Sequence, residues 1–225
     1  MSRPCSPARA TFACLAEIAG ALAHEHRLEI LEHLGQGQRS VETVAKLTGL
    51  SIANASQHLQ QLKRVGLVAA QREGKRILYR VADEVALARL LAPLRGLTEG
   101  SLTAMDRIQS SYFRDRDGME PVSRIELMAR LRRGRVTLLD VRPQEEFALG
   151  HLPKAINIPL AALERRLAEL PRRNGIVAYC RGPYCVLSFE AVAALRARGY
   201  KVRRLEDGFP EWKAAGLPIE QRRAA

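Results

Sequence analysis

The sequence predicts two domains: a mainly helical N-terminal domain with a β-hairpin, followed by an α/β domain whose parallel sheet is flanked by helices. The length of 225 residues is enough for two hydrophobic cores of ordinary size. The first half shows helical periodicity and one hairpin pattern. From Pro121 onward, short apolar runs instead alternate with helical stretches. Such alternation is typical of a parallel sheet that helices cover on both faces.

The helical domain begins with four predicted helices, each marked by apolar residues that recur every three or four positions. They cover residues 11–22, 27–34, 41–48 and 52–65. Gly49 suits the left-handed position that ends the third helix, and Ser51 supplies an N-cap for the fourth. A hairpin follows, with strands at 67–71 and 76–81 and with Gly74 in its turn.

A fifth helix is predicted from an N-cap at Asp83 to about Leu91, because Pro93 ends the pattern. Four helices, a hairpin and a further helix form the element order of a winged helix-turn-helix. Residues 97–111 also look helical and lead into a polar segment at 114–118. We therefore predict the helical domain at 1–98, a connecting helix and linker at 99–119 and the α/β domain at 120–225.

The elements of the α/β domain follow from short apolar runs between amphipathic stretches. Strands are predicted at 136–141, 176–179 and 201–205, and helices at 123–133, 161–169 and 186–198.

The composition favours a polyanionic partner and an intracellular setting. The formal net charge is +12, divided as +5 over residues 1–98, −1 over 99–119 and +8 over 120–225. Four cysteines are too few for a disulfide scaffold in a chain of this length. Because the sequence has neither a bilayer-length apolar run nor an export signal, we expect a cytoplasmic protein without membrane contact.

The fourth helix is the candidate recognition helix, since it carries hydrogen-bonding side chains and no acidic residue from Ser51 to Leu62. Asparagine and glutamine can pair with base edges in the major groove, and basic residues bind phosphates. The candidate DNA-binding residues on this helix are Ser51, Asn54, Ser56, Gln57, His58, Gln60, Lys63 and Arg64, and those on the hairpin are Arg72, Lys75 and Arg76.

The N-terminal half resembles the ArsR/SmtB family of small dimeric repressors. The matching stretches are ALAH at 21–24, RLEIL at 27–31, LSIANASQHL at 50–59, GLV at 66–68 and REGKR at 72–76. The resemblance implies a homodimer that forms through the first and last helices of the domain. It also implies that the partner is double-stranded DNA with a palindromic operator.

Metal sensing is disfavoured by the residues at the family's ligand positions. Metal-sensing members carry a Cys-x-Cys pair before the recognition helix or Asp and His ligands on the last helix, where this chain has SVETVA at 40–45 and VALARL at 85–90. His24, His26 and His33 do not share one helical face. We expect no metal ion and no other cofactor.

The strongest chemical signal is VAYCRGPYC at 177–185, in which Cys180 directly follows a buried strand and a helix begins near Val186. Backbone amides and the helix dipole at such a turn stabilise a negative charge, so they would lower the thiol pKa and could hold a persulfide. Arg181 would add a positive charge. The candidate reactive site comprises Cys180, Arg181, Gly182, Tyr184 and Cys185.

This half resembles a rhodanese homology domain. Besides the cysteine loop, the matching stretches are LDVRP at 139–143, EEF at 145–147, GHLPKAINIP at 150–159, EDGFPEW at 206–212 and GLP at 216–218. The resemblance implies that Cys180 accepts sulfane sulfur as a persulfide and passes it to another nucleophile. It implies structural or supporting roles for Asp140, Arg142 and His151.

The loop itself separates several alternatives. A cysteine phosphatase or arsenate reductase loop needs Cys-x5-Arg, but Val186 stands six residues after Cys180. Cys185 either resolves a modified Cys180 or packs as a small apolar residue, and both readings stay open. For Cys14 we expect core packing on the first helix.

We therefore expect a DNA-binding regulator that senses or transfers sulfane sulfur through Cys180. The alternatives are a sulfurtransferase with an accessory DNA-binding or dimerisation domain and a Cys180–Cys185 thiol-redox switch.

Overall fold

The computed structural model describes residues 7–101, 121–134, 136–172, 174–183 and 185–221. It divides into two compact units, the first ending at Leu87 and the second starting at Ala88. Of the connecting helix and linker predicted at 99–119, residues 102–119 lie outside the described residues, as do the loop residue Tyr184 and Cys5. No helix in the described part of the chain is both long and apolar enough to cross a bilayer.

The N-terminal part of the chain contains five helices and a small antiparallel sheet, and the fifth helix begins in the first unit and continues into the second. The helices are α1 (Pro7–Leu22), α2 (Glu25–Gly35), α3 (Val41–Thr48), α4 (Ile52–Arg64) and α5 (Glu84–Ser101), and the strands are β1 (Arg39–Ser40), β2 (Val68–Glu73) and β3 (Arg76–Val81). The sheet order is β1-β3-β2. The winged helix-turn-helix order is therefore confirmed, with the short β1 as an unpredicted addition.

Local signals in the sequence explain where these elements begin and end. The hydroxyl of Ser51 accepts a hydrogen bond from the Asn54 amide at the start of α4. Gly49 ends α3 with a φ of 68°, and Gly74 turns the hairpin with a φ of 60°. The prediction that the fifth helix ends before Pro93 is wrong, because α5 continues to Ser101. A proline removes only one amide donor from this 18-residue helix.

The core of the first unit lies where α2, α3 and α4 meet. Ile30, Val44, Leu59 and Leu62 are all fully buried there. Among the described residues, the apolar side chains near the start of α1 are left uncovered, since Phe12 is 70% exposed. Cys14 on the same helix is exposed, so the predicted core packing of Cys14 is wrong for the single chain.

The second unit contains a parallel sheet of order β5-β4-β6-β7. Its strands are β4 (Val136–Asp140), β5 (Ile156–Asn157), β6 (Gly175–Tyr179) and β7 (Val202–Arg204). Its helices are α6 (Arg124–Arg132), α7 (Gln144–Leu149), α8 (Val186–Ala197) and α9 (Phe209–Ala214), together with a 3-10 helix at Leu160–Glu169.

Alternation along β6 explains why helices cover both faces of this sheet. Ile176 and Ala178 pack in one buried cluster with residues of α8 and the 3-10 helix. Val177 and Tyr179 pack in a second cluster with residues of α6 and α9. The predicted helix-flanked parallel sheet is thus confirmed. The first cluster also contains Cys180, which continues the alternation one residue beyond the strand.

Candidate functional site

Cys180 lies between the carboxyl end of β6 and the first turn of α8. In parallel α/β sheets, this edge is where loops and helix N-termini converge. The backbone carbonyl of Cys180 accepts a hydrogen bond from the Phe209 amide at 3.0 Å, which ties the cysteine to the start of α9. The side chain is only 1% exposed. Sulfur chemistry with an outside molecule therefore requires a local movement that opens a path to the sulfur.

Hydrogen-bonding groups surround the sulfur of Cys180, including the carbonyl oxygens of Gly182 and Cys185. Its Sγ lies 3.1 Å from the hydroxyl oxygen of Ser188, in the first turn of α8. Backbone hydrogen bonds from Gly182 and Ser188 and a side-chain hydrogen bond from Cys185 also reach it. Burial alone would raise the pKa of the Cys180 thiol, but these hydrogen bonds to the thiolate lower it below its ordinary value.

Cys185 is the N-terminal boundary residue of α8 and lies against Cys180. Its carbonyl oxygen is 3.4 Å from the Cys180 Sγ. The hydrogen bond from its own thiol to Cys180, together with burial and the charge on Cys180, raises the pKa of Cys185 far above its ordinary value. The arrangement therefore favours one thiolate, at Cys180, and one retained thiol proton, at Cys185.

Arg181, which was expected to bring a positive charge near the sulfur, forms an ion pair with a carboxylate. Its guanidinium binds the Glu146 carboxylate of α7, with Nη2 donating to Oε1 at 2.7 Å and Nε donating to both oxygens at 3.1 Å. Glu146 is almost completely buried. The ion pair fastens the loop after Cys180 to α7, so we interpret Arg181 as an anchor of this loop.

The DGF segment at 207–209 supports the loop from the other side. A Cβ atom on Gly208 would lie 2.3 Å from the Gly182 nitrogen and 2.4 Å from the Arg181 carbonyl carbon. Only a residue without a side chain fits this close backbone approach. Arg204 at the end of β7 adds a longer contact, since its Nη1 donates to the Pro183 carbonyl oxygen at 3.5 Å.

Ser188, Glu146, Gly208 and Arg204 were not among the site residues predicted from the sequence. Gly208 lies within the quoted EDGFPEW stretch and Glu146 within the quoted EEF stretch, which were the available signals. Asp140 and Arg142 form a buried ion pair, and Arg142 also donates to the Gly150 carbonyl oxygen at 2.7 Å. His151 stacks on Phe147. The contacts of these three predicted supporting residues lie within the framework of the domain.

On the recognition helix α4, most predicted DNA-binding side chains face solvent. Exposed ones are Asn54, Gln57, Gln60, Lys63 and Arg64, and Ser51 is exposed while its hydroxyl caps the helix. Gln60 also donates to the Tyr79 hydroxyl at 3.3 Å. Ser56 is half-buried. On the hairpin, Arg72, Lys75 and Arg76 are all exposed, and Arg72 donates to the Gly74 carbonyl oxygen.

His58 differs from the other side chains predicted to read bases. It is half-buried, and its ring centroid lies 4.6 Å from that of His24 and 5.9 Å from that of His26. Burial, followed by the charges of His24, Arg27 and His26, lowers the pKa of His58. Within the described residues, no group of three or more His, Cys, Asp or Glu side chains is arranged to hold a metal ion.

Arg27 links the α1–α2 junction to the recognition helix. Its Nη1 donates to the Gln61 side-chain oxygen on α4 at 2.5 Å, and its Nη2 donates to the Gly20 carbonyl oxygen at 2.9 Å. Arg27 is buried. Its contacts fix α4 against the C-terminal end of α1.

Comparisons with known proteins match each half of the chain separately and the two halves together. Residues 22–70 match the family model of a helix-turn-helix domain, and residues 123–215 match that of a rhodanese-like domain. The chain is 45% identical over 207 residues to the HTH-type transcriptional regulator Rv0324 of Mycobacterium tuberculosis, covering 92% of this chain and 90% of that protein.

Two further similarities cover one half each. A sulfurtransferase of Allochromatium vinosum is 36% identical over 85 residues, which are 37% of this chain and 78% of that protein. The homodimeric winged helix-turn-helix DNA-binding domain of a possible ArsR-family transcriptional regulator from Mycobacterium bovis is 40% identical. That solved structure has a TM-score of 0.40 and covers 46% of this chain and 95% of its own.

Proposed function

Because the chain belongs to the ArsR-type helix-turn-helix transcriptional regulators that carry a rhodanese-like domain, we propose that it controls transcription in response to sulfane sulfur bound at Cys180. The regulator would act as a homodimer on operator DNA in the cytoplasm. The observation that supports the sulfur chemistry is the set of hydrogen bonds to the Cys180 Sγ at the N-terminus of α8. We call this set, from the Ser188 hydroxyl, the Cys185 thiol and the backbone amides, the cradle.

The proposed reaction is a sulfur transfer between thiolates. The Cys180 thiolate attacks the outer sulfur of a low-molecular-weight persulfide, a new S–S bond forms, and the donor's own thiolate leaves. Cys180 then carries a persulfide whose negative charge can use the same amide and hydroxyl donors. Because Cys180 is 1% exposed, small donors should react much faster than bulky ones.

Regulation requires that the persulfide has different free energies in the DNA-bound and DNA-free states. The exposed polar face of α4 and the basic hairpin support DNA binding by the first unit. The uncovered apolar residues Phe12 and Leu15 on α1 support association of two copies through this helix.

The test combines mass spectrometry with DNA-binding measurements on the full chain. The DNA probe is a duplex selected by the wild-type protein from a random-sequence pool. After treatment with cysteine persulfide, we expect sulfur chemistry at Cys180 and an altered DNA affinity in wild type and in Cys14→Ser, but neither effect in Cys180→Ser. Unchanged affinity in a wild-type protein that has reacted at Cys180 would rule out the regulatory coupling.

A sulfurtransferase enzyme is the second candidate, favoured by the similarity of the second unit to a sulfurtransferase. It requires repeated turnover rather than a single modification. Multiple turnovers of thiosulfate with cyanide, abolished by Cys180→Ser, would favour this candidate. A single stoichiometric reaction would favour the regulator.

A further inference from the structure

We propose that Cys185 is the second nucleophile of this site: it attacks the persulfide on Cys180, releases hydrosulfide and leaves a Cys180–Cys185 disulfide. This inference rests on the proposed sulfur transfer to Cys180 and adds a chemical outcome to it. The chain would then reduce sulfane sulfur to sulfide and would itself be oxidised to the Cys180–Cys185 disulfide.

The position of Cys185 supports this role. The Sγ of Cys180 lies 3.4 Å from the carbonyl oxygen of Cys185, and both residues belong to the same buried cluster, at the junction of β6 and α8. In the described arrangement both cysteines are free. A disulfide therefore requires a local rearrangement of two side chains that already pack in one cluster.

Burial distinguishes this reaction from transfer to an outside acceptor. Cys180 is 1% exposed and Cys185 is 9% exposed, so a second external thiol has poor access to the persulfide. Cys185 is already in contact, and a reaction partner held in place has a very large effective concentration. The internal attack should therefore precede transfer to molecules in solution.

The reaction balances without a further oxidant. The persulfide of Cys180 contributes an anionic outer sulfur, and Cys185 contributes a thiol. As the Cys185 sulfur bonds to the Cys180 Sγ, the bond from Sγ to the outer sulfur breaks and the thiol proton passes to that outer sulfur. Hydrosulfide leaves with the negative charge, so the sulfane sulfur is reduced while the two cysteines are oxidised.

The protonation states of the two cysteines fit these reaction steps. The raised pKa of Cys185 means that its thiol keeps the proton until Cys180 no longer accepts its hydrogen bond as a free thiolate. A thiol of high pKa is also a strong nucleophile once its proton departs. Cys185 therefore holds both the attacking sulfur and the proton that the leaving sulfide needs.

The test compares reduced wild-type chain with Cys185→Ser and Cys185→Ala under anaerobic conditions, using cysteine persulfide as the donor. Wild type should release about one sulfide per chain, lose the mass of two hydrogens and yield a peptide with the Cys180–Cys185 disulfide. Both variants should instead retain the mass of one sulfur and release no sulfide. Cys14→Ser serves as the matched control and should behave as wild type.

Two other outcomes would contradict a different proposal each. A stable persulfide in wild type, at the level found in Cys185→Ser, would overturn the role of Cys185 while leaving the proposed function intact. Absence of sulfur uptake and of sulfide release in wild type and in both folded variants would instead refute the proposed function, and this inference with it. Circular dichroism establishes that the variants are folded.

Discussion

The Sγ of Cys180 and the Oγ of Ser188 are 3.1 Å apart, although the two residues lie on opposite sides of the loop that joins β6 to α8. The hydroxyl can donate to the thiolate from the first turn of the helix. This contact is the side-chain part of a cradle that otherwise consists of backbone amides and the Cys185 thiol.

Ser188→Ala should make Cys180 less acidic and less reactive. A hydrogen bond to a charged group contributes about 1.5–3 kcal/mol, so the thiolate fraction and the reaction rate at neutral pH should fall about tenfold or more. The measurement is the pH dependence of the reaction of Cys180 with a small electrophile. Ser123→Ala is the matched control, because Ser123 caps α6 in the same domain and should alter stability alone. An unchanged pH profile in Ser188→Ala would contradict the assigned hydrogen bond.

Gly208→Ala should displace the backbone that follows Cys180. The new Cβ would overlap the backbone of Arg181 and Gly182, which cannot yield without moving the loop. Overpacking of this kind costs about 1–3 kcal/mol. Because the displaced backbone includes the Gly182 amide that hydrogen-bonds the sulfur, persulfide formation should fall about tenfold or more. Gly175→Ala is the control, since a Cβ there meets no atom within 4 Å. Equal midpoints of thermal unfolding in the two variants would refute this tight contact.

The two cysteines should give the stability of the rhodanese-like domain an unusual pH dependence. The lowered pKa of Cys180 contributes stability that is fully present above the unfolded pKa of about 8.5 and is lost as pH falls through the folded pKa. The raised pKa of Cys185 contributes stability below about pH 8.5 that is lost at higher pH. Stability should therefore peak near the ordinary thiol pKa.

Urea unfolding of wild type and Cys180→Ser across this pH range checks the prediction. The variant removes both the Cys180 thiolate and the main cause of the Cys185 shift, so its profile should be flatter. Parallel profiles would contradict the thiolate–thiol pair. Cys14→Ser, altered at an exposed cysteine, should follow wild type.

On DNA, the hairpin and the recognition helix should make different contributions. Lys75→Gln with Arg76→Gln should weaken binding to all sequences and reduce the slope of log K against log salt by about two. Asn54→Ala should cost about 1–3 kcal/mol on the selected duplex and relax its sequence preference. Fluorescence anisotropy on specific and scrambled duplexes measures both. Arg132→Gln, at an exposed position of α6 in the rhodanese-like domain, is the control with the same type of charge change.

Much of the fold was predictable because its signals are local. Periodicity, the Ser51 cap and the glycine at position 49 mark the helices, and β6 followed by Cys180 and α8 could be recognised from a strand, a cysteine and a helix start. Pro93 misled the prediction because a local propensity was outweighed by the rest of a long helix.

The contacts that complete the site were not predictable because they join residues distant in sequence. Arg181 and Glu146 are 35 positions apart, and nothing near either residue indicates their ion pair. Gly208 approaches Gly182 only because α9 begins beside the cysteine loop. The exposed polar pattern of α4 likewise gave no indication that His58 packs beside His24.

The ion pair between Arg181 and Glu146 affects how the reactivity of Cys180 depends on ionic strength. Because this guanidinium is bound by a carboxylate, the acidity of Cys180 depends mainly on neutral dipoles at very short range, which dissolved ions screen poorly. The sulfur site should therefore keep its reactivity at ionic strengths that detach the protein from DNA. A protein molecule released from DNA would therefore still react with sulfane sulfur at Cys180 before it binds DNA again.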